Sequence, residues 1–155
     1  MAGRASNWAP DRGDMIWINF SPSHGNEMQD LHPMLVLSTR PFNEKTGLVI
    51  GLPMSTSAQR NKDNPFALEY TAKGITGYVL ANMPKSFGWR ERHAKPHPWG
   101  KAPTNLMEDA CELFKDILGS DARTQARLCR IGGGSPRAHP HGRVGHKART
   151  LTVDR

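Results

Sequence analysis

Five basic side chains lie close together between residues 85 and 101, where Glu91 is the single opposing acid. The basic residues are Lys85, Arg90, Arg92, Lys95 and Lys101. Such a local excess of positive charge can bind the phosphate backbone of a nucleic acid, although a solvated surface has the same composition. Trp17 and Trp89 could stack on bases, but their strand positions favour a place in the core or in a dimer interface.

The polar segment between Pro22 and Gln29 carries side chains that could read RNA. Asn26, Met28 and Gln29 could recognise unstacked bases of single-stranded RNA through hydrogen bonds and apolar contacts. An ordinary mobile loop is an equally good interpretation of each of these residues.

Histidine pairs in the chain do not indicate a metal site. His93 and His97 have the spacing of a helical metal site, but Pro96 and Pro98 forbid that helix. Cys111 and Cys129 lie far apart and outside any C-x-x-C motif. The sequence therefore predicts no metal, no disulfide framework and no cofactor.

The net charge of +7 over 155 residues does not belong to the part of the chain that looks folded. In residues 1–121, 13 basic residues balance 13 acidic ones, so the excess lies in residues 122–155. That segment mixes Gly, Pro, Arg and His with isolated aliphatic residues, which predicts a disordered basic tail. The tail is either an arm with nonspecific affinity for RNA or DNA or an extension without a specific role. We expect a flexible N-terminus over 1–11 and one folded domain over 12–121.

Compartment can be inferred from what the sequence does not contain. No segment approaches the roughly 20 apolar residues that cross a bilayer, and the first residues do not resemble a signal peptide. Two widely spaced cysteines fit a reducing environment. We therefore expect a soluble cytoplasmic protein without a membrane partner.

Short apolar segments separated by Gly and Pro predict a small β-barrel. The segment DMIWINF alternates Ile16, Ile18 and Phe20 with Met15 and Trp17, which predicts a strand with two partly covered faces. Further strands are predicted over 34–37, 48–52 with Pro53 as its end, 66–70, 77–81 and 86–89. Between them we expect a turn over 43–47, long loops over 22–29 and 54–65, and a connector over 90–103.

A C-terminal helix completes the expected fold. Thr104 can cap it, Gly119 can end it, and its apolar stripe should pack on the barrel. The stripe consists of Leu106, Ala110, Leu113, Phe114 and Ile117. The fold class is therefore mainly β with one C-terminal helix.

Four motifs follow one another in order between residues 12 and 118. They are Gly13-Asp14-x-x-Trp17-x-x-Phe20, Pro22 with Gly25-x-Glu27, Pro33 before an apolar strand, and Lys85-Ser86 with Trp89-Arg90. In this order they resemble the MazF/PemK family of toxin endoribonucleases from type II toxin–antitoxin systems. The resemblance implies an SH3-like barrel, a homodimer, and an RNA groove that the C-terminal segment of a cognate antitoxin can occupy. It also implies metal-independent cleavage of single-stranded RNA at short sequences, which leaves a 2′,3′-cyclic phosphate and a 5′-hydroxyl.

The resemblance also assigns candidate catalytic residues. His32 stands where the family has an Arg before the strand-two Pro, and Ser55, followed by Thr56, stands where it has a catalytic Thr. Glu27 matches a loop acid that could orient His32 or contact a base edge. Another subgroup uses an Arg and an Asp that correspond here to Leu80 and Asn82, so that arrangement is absent. The RNA-binding candidates are Asn26, Met28, Gln29, Asn82, Lys85 and Arg90.

Cleavage of this type needs a base for the 2′-hydroxyl proton, a donor for the crowded phosphorane and an acid for the leaving 5′-oxygen. A histidine such as His32 can transfer protons near neutral pH and, when protonated, can donate to a phosphate oxygen. It lacks the planar, permanently charged fork of Arg, so phosphate stabilisation should weaken. Two alternatives stay open: a noncatalytic or weakened module of the toxin fold that binds an antitoxin, and a DNA gyrase inhibitor like the CcdB toxins.

Overall fold

The computed structural model describes residues 8–119, which form seven strands and three helices. In chain order they are β1 (Asp14–Asn19), β2 (Leu31–Val36), α1 (Arg40–Thr46), β3 (Leu48–Ser55), α2 (Ala58–Asn61), β4 (Ala67–Ala72), β5 (Ile75–Leu80), β6 (Lys85–Gly88), β7 (Lys95–Lys101) and α3 (Thr104–Leu118). The mainly β fold with a C-terminal helix is confirmed. The basic tail predicted over 122–155 lies outside the described residues. None of the described helices is long and apolar enough to cross a membrane.

The strands form one curled antiparallel sheet in the order β4-β5-β3-β2-β1-β7. Its curvature comes from β3, which changes partner along one edge. Residues 48–51 of β3 pair with β6, and Met54 and Ser55 pair with β5. On its other edge, residues 51–53 of β3 pair with β2. A strand shared in this way bends the sheet into a half-barrel and brings the ends of β2 and β3 together.

Both faces of the sheet are buried, as the alternation in β1 predicts. Met15 and Leu35 belong to one apolar cluster, whereas Ile16, Ile18 and Met34 belong to a second one on the opposite face. Helix α3 covers the first cluster through the predicted stripe. The stripe residues that contact this cluster are Leu106, Ala110, Leu113 and Ile117, whereas the predicted Phe114 does not belong to it.

Pro53 does not end β3, so this part of the prediction is wrong. The residue lies inside the strand, after the pairing with β6 ends at Gly51 and before the pairing with β5 begins at Met54. A proline is tolerated there because the ladder on that edge is interrupted while one partner replaces the other.

The segment 90–103 is not a connector, because it contains β7. This strand pairs with β1, where Pro96 lies opposite Ile16 and Lys95 lies opposite Trp17. It is an edge strand of the described sheet, so Pro96 and Pro98 leave no ladder bond unmade on its outer side.

Two short helices occupy segments that the sequence pattern predicts as turn and loop. Helix α1 has a proline in its first turn and ends at Gly47, whose φ of 72° is the left-handed conformation that favours glycine. Helix α2 lies in the predicted loop 54–65. Helix α3 ends at Gly119 as predicted, but its N-cap is Pro103, and Thr104 is its first residue.

Trp89 is a core residue and not a surface for base stacking. It is 6% exposed, and its Nε1–H donates to the carbonyl of Asn43 at 3.0 Å. The Asn43 amide is fully buried and donates to the carbonyl of Pro10 at 2.8 Å. These bonds tie α1, the segment after β6 and the start of the described chain into one unit.

Candidate active site

A groove of about 1360 Å³ lies where the ends of β2 and β3 meet the loop 21–30, the β4–β5 turn and β7. It brings together the four predicted catalytic residues Glu27, His32, Ser55 and Thr56. The predicted RNA-binding residues Asn26, Met28 and Gln29 also line it. Asn82, Lys85 and Arg90 do not line this groove.

Strand register explains why His32 and Ser55 share the groove. In the β2–β3 ladder Met34 lies opposite Pro53. Continuing this antiparallel register by two residues sets His32 opposite Ser55, and both then project from the same face of the sheet. Side chains on neighbouring strands at such positions can act on one bound group.

The His32 ring is half-buried and rests edge-on against Phe20, with the ring centroids 6.3 Å apart. Phe20 itself is 1% exposed and belongs to the second apolar cluster, so the ring has a rigid support. Within residues 8–119, neither ring nitrogen of His32 has a hydrogen-bond partner. The imidazole is therefore available to a ligand in the groove.

Ser55 and Thr56 present two hydroxyl groups at the end of β3. The Ser55 Oγ accepts the N–H of Ser57 at 3.2 Å, which closes the turn after the strand. That bond uses a lone pair of the oxygen and leaves the hydroxyl proton for a ligand. Thr56 is exposed, and in the described part of the chain its hydroxyl has no partner.

The loop 21–30 is held by its own hydrogen bonds. At its base, the N–H of Asp30 donates to the Ser21 Oγ at 2.7 Å, and at its middle the Ser23 Oγ donates to the carbonyl of Met28 at 2.6 Å. Glu27 remains exposed near the tip. The loop thus offers its polar tip to the groove on a braced base.

Glu27 pairs with Lys85 and not with His32. Its Oε2 lies 2.9 Å from the Lys85 Nζ, which joins the loop to the start of β6. The hydrogen bond and the positive charge of Lys85 lower the pKa of Glu27 below its ordinary value. Glu27 is therefore ionised near neutral pH and cannot serve as a proton donor there.

Replacing Lys85 by methionine should raise the pKa of Glu27 toward its ordinary value of 4.5, because the hydrogen bond and the neighbouring charge are both removed. A carboxyl titration followed by NMR measures this shift. In the wild-type protein the pair adds stability above the unfolded-state pKa, and this stability is lost as the pH falls through the folded-state pKa. The effect on stability should be small because Glu27 is exposed to solvent.

Lys101→Met is the matched control, because the Lys101 Nζ lies 3.7 Å from Asp11 and not near Glu27. It should leave the pKa of Glu27 unchanged and raise that of Asp11. An unchanged Glu27 pKa in Lys85→Met would show that the pair does not form in solution.

The basic residues between 85 and 101 are largely engaged within the protein. The Arg90 guanidinium lies 4.0 Å above the Trp89 ring, and that of Arg92 lies 4.0 Å above Phe87. Arg92 also donates to the carbonyls of Asn19 and Ser21 at 2.8 and 3.0 Å. Their role as phosphate contacts stays a prediction, and the cations that line the groove are Arg60 and Lys73.

Several groove residues are missing from the sequence-based prediction. They include Arg60, Lys73, His97 and Trp99. Trp17, for which the strand position favours the core or a dimer interface, also lines the groove. His97 and Trp99 lie on β7, and the prolines of this strand wrongly predict a connector. The available signal was a histidine and a tryptophan two residues apart in that segment, the spacing of side chains on one strand face.

Comparisons with known proteins point to one family. A family model described as PemK-like, MazF-like toxin of type II toxin–antitoxin system matches residues 11–118. The Endoribonuclease toxin MazF of Escherichia coli (strain K12) is 37% identical over 89 residues, which are 57% of this chain and 78% of that protein. Endoribonuclease PemK of Escherichia coli is 26% identical over 110 residues, or 70% of this chain and 81% of that protein.

Solved structures of MazF proteins are also similar to this chain. The crystal structure of MazF (Form-I) from Deinococcus radiodurans superposes with a TM-score of 0.66 at 33% identity, covering 73% of this chain and 99% of that chain. The MazE-MazF complex (Form-II) from the same organism gives a TM-score of 0.60 at 31% identity, covering 73% and 98%.

Proposed function

The chain belongs to the PemK-like, MazF-like toxin family, and on this premise we propose that it is a toxin endoribonuclease that cleaves single-stranded RNA at short sequences. The observation that carries the proposal is the groove, which gathers His32, Ser55, Thr56 and the loop 21–30. An imidazole, two hydroxyl groups and polar loop side chains are the groups that cleavage and base recognition require.

In the proposed reaction, His32 takes the proton from the 2′-hydroxyl while O2′ attacks the neighbouring phosphorus. Ser55 and Thr56 donate hydrogen bonds to the non-bridging oxygens, where negative charge develops. The bond from phosphorus to O5′ then breaks, and the leaving oxygen takes a proton from water in the groove. The products are a 2′,3′-cyclic phosphate and a 5′-hydroxyl, and His32 returns its proton to solvent.

Recognition of the RNA sequence is assigned to the loop 21–30. Asn26 and Gln29 can donate to and accept from base edges, and Met28 offers an apolar contact. Glu27 is ionised, so we assign it the role of an acceptor for the amino group of a base. Asn82, Lys85 and Arg90 lie outside the groove and remain candidates for contacts with more distant nucleotides.

We also propose that the protein forms a homodimer and binds a cognate antitoxin in the cytoplasm, where messenger RNA is found. Support for the antitoxin comes from the similar MazE-MazF complex from Deinococcus radiodurans. The dimer is proposed from the family alone.

The proposal is tested by incubating the purified protein with a long single-stranded RNA in EDTA. We expect cuts at one short sequence, with new 3′ ends that resist ligation until polynucleotide kinase removes the cyclic phosphate. The 5′ ends should accept a phosphate directly. If no sequence is cut, and the His32→Arg variant is also inert, the nuclease assignment is wrong, and a gyrase supercoiling assay then examines the CcdB-like alternative.

One observation favours a second candidate, a noncatalytic module that binds an antitoxin. The charged fork expected at position 32 is replaced by an imidazole that rests against Phe20. Under this alternative the chain binds an antitoxin segment but cuts no RNA. Cleavage that His32→Ala abolishes would exclude it.

A further inference from the structure

Three aromatic side chains form a cluster at the β7 side of the groove. His97 lies between Trp17 and Trp99, with ring centroids 4.5 and 4.8 Å away. The His97 Nδ1 accepts the backbone N–H of Trp99 at 3.1 Å. His97 is only 8% exposed, yet all three residues line the groove.

The hydrogen bond to Nδ1 fixes the tautomer of His97. Burial, with a contribution from Lys73, lowers the pKa of His97, so the ring is neutral near pH 7. Since Nδ1 accepts a bond, the proton must lie on Nε2. Within residues 8–119, Nε2 has no hydrogen-bond partner. Every fully buried side-chain nitrogen or oxygen of these residues does have a partner, so Nε2 cannot be fully buried. The Nε2–H is therefore not sealed in the core and is available to a ligand in the groove.

The surrounding strands hold the cluster in place. A Cβ at Gly77 would lie 3.5 Å from the Trp99 ring, so β5 supports this ring closely. Tyr70 of β4 packs edge-on against Trp99 at 5.3 Å. The Lys73 Nζ donates to the carbonyl of Pro98 at 2.8 Å, which fastens the β4–β5 turn to β7. A site held in this way loses little entropy when a ligand binds.

Charge favours an anionic strand as the occupant. Three described side chains with a formal charge line the groove, namely Glu27, Arg60 and Lys73. The negative charge of Glu27 is paired with Lys85, which leaves the two cations as the effective charges. Flat rings beside cations suit a single-stranded nucleic acid, whose bases stack while its phosphates need positive charge.

We propose that Trp17, His97 and Trp99 form a nucleobase subsite, in which one unstacked base of the RNA packs against indole and accepts a hydrogen bond from the His97 Nε2–H. The proposal rests on the proposed function insofar as the ligand is the RNA strand. A donor of this kind selects a base that presents a carbonyl oxygen or an unprotonated ring nitrogen. The subsite is built by the paired strands β1 and β7, so it adds a second recognition element to that of the loop 21–30.

The test measures binding of short RNAs in which every 2′-hydroxyl is methylated, so that they bind without being cleaved. His97→Asn keeps an acceptor for the Trp99 N–H but removes the donor at Nε2, whereas His97→Gln can restore that donor. Trp17→Leu keeps apolar volume but removes the stacking surface. We expect about tenfold weaker binding for His97→Asn and for Trp17→Leu, since stacking or a bond to a base has about that effect. His97→Gln should recover part of the loss.

His93→Asn is the matched control, because His93 lies on the same segment but does not line the groove. Its φ of 53° is also well tolerated by Asn. It should bind like the wild-type protein. As a second measurement, the His97 Nε2–H signal should shift in the NMR spectrum when RNA binds to the wild-type protein.

The outcomes separate this proposal from the proposed function. If RNA is cleaved but His97→Asn and Trp17→Leu bind it like the wild-type protein, the subsite is refuted and the nuclease assignment stands. If RNA is not cleaved but both variants bind it more weakly, the subsite stands and the nuclease assignment falls. If the variants lose affinity for an acidic peptide but not for RNA, the cluster is a peptide site and the proposal is overturned.

Discussion

His32→Ala is expected to slow RNA cleavage by about 100- to 1000-fold, because the substitution removes the group assigned to take the 2′-hydroxyl proton. The fold should survive, since the half-buried ring lies at the beginning of β2 and rests against Phe20 alone among the described aromatic rings. Initial rates on a short fluorogenic RNA measure the loss. Circular dichroism and a thermal melt show whether the variant is folded.

His32→Arg tests the same position with a substitution that should keep or raise the cleavage rate. An arginine supplies a permanent charge and a planar fork of donors, so it should stabilise the phosphorane better than an imidazole does. We expect at least wild-type activity from this variant. His24→Ala is the control, because His24 is an exposed histidine that does not line the groove. Wild-type rates for His32→Ala would remove His32 from the mechanism.

The candidate site could be predicted from sequence where it depends on contiguous motifs. The family resemblance of the contiguous motifs assigns Glu27, His32 and Ser55. All three line the groove. The pairing of Glu27 with Lys85 could not be predicted, because it needs the position of β6 against the loop 21–30. His97 and Trp99 were missed for the same reason, since β7 reaches the groove only by pairing with β1.

In the fold, too, some elements could be predicted from the sequence and others could not. Alternating apolar residues in β1 and the helical stripe of α3 predict both elements, because β1 buries its two faces in two apolar clusters and α3 buries its stripe in the first of them. Helix α1 was missed although a proline stands in its first turn and Gly47 at its end, since its buried residue is the polar Asn43. Pro53 is wrongly predicted as the end of β3, because the sequence does not show that β3 changes its partner from β6 to β5 on either side of this residue.

Gly51→Ala should destabilise the protein by about 3 kcal/mol, the upper end of the usual range for an extra methyl group in a close-packed core. Gly51 is buried where β3 pairs with β2 on one edge and with β6 on the other. A Cβ there would overlap the carbonyl oxygen of Leu35 and would lie 3.0 Å from two side-chain atoms of Met34. Because the overlapping atom of Leu35 belongs to the backbone, a side-chain rotation cannot relieve the clash, and β2 must move relative to β3. Urea unfolding followed by tryptophan fluorescence measures the loss.

Gly77→Ala is the matched control for this position. Gly77 also lies in a strand, but a Cβ there would meet its nearest atoms at 3.5 Å, which is ordinary contact. Its effect should stay within about 1 kcal/mol, since alanine in a strand interior is otherwise more favourable than glycine. The Gly51 substitution should also slow RNA cleavage by the folded fraction, because the movement of β2 displaces His32 from Ser55. If Gly51→Ala is as stable as Gly77→Ala, then β2 and β3 are not as closely packed at Leu35 as the structure has them.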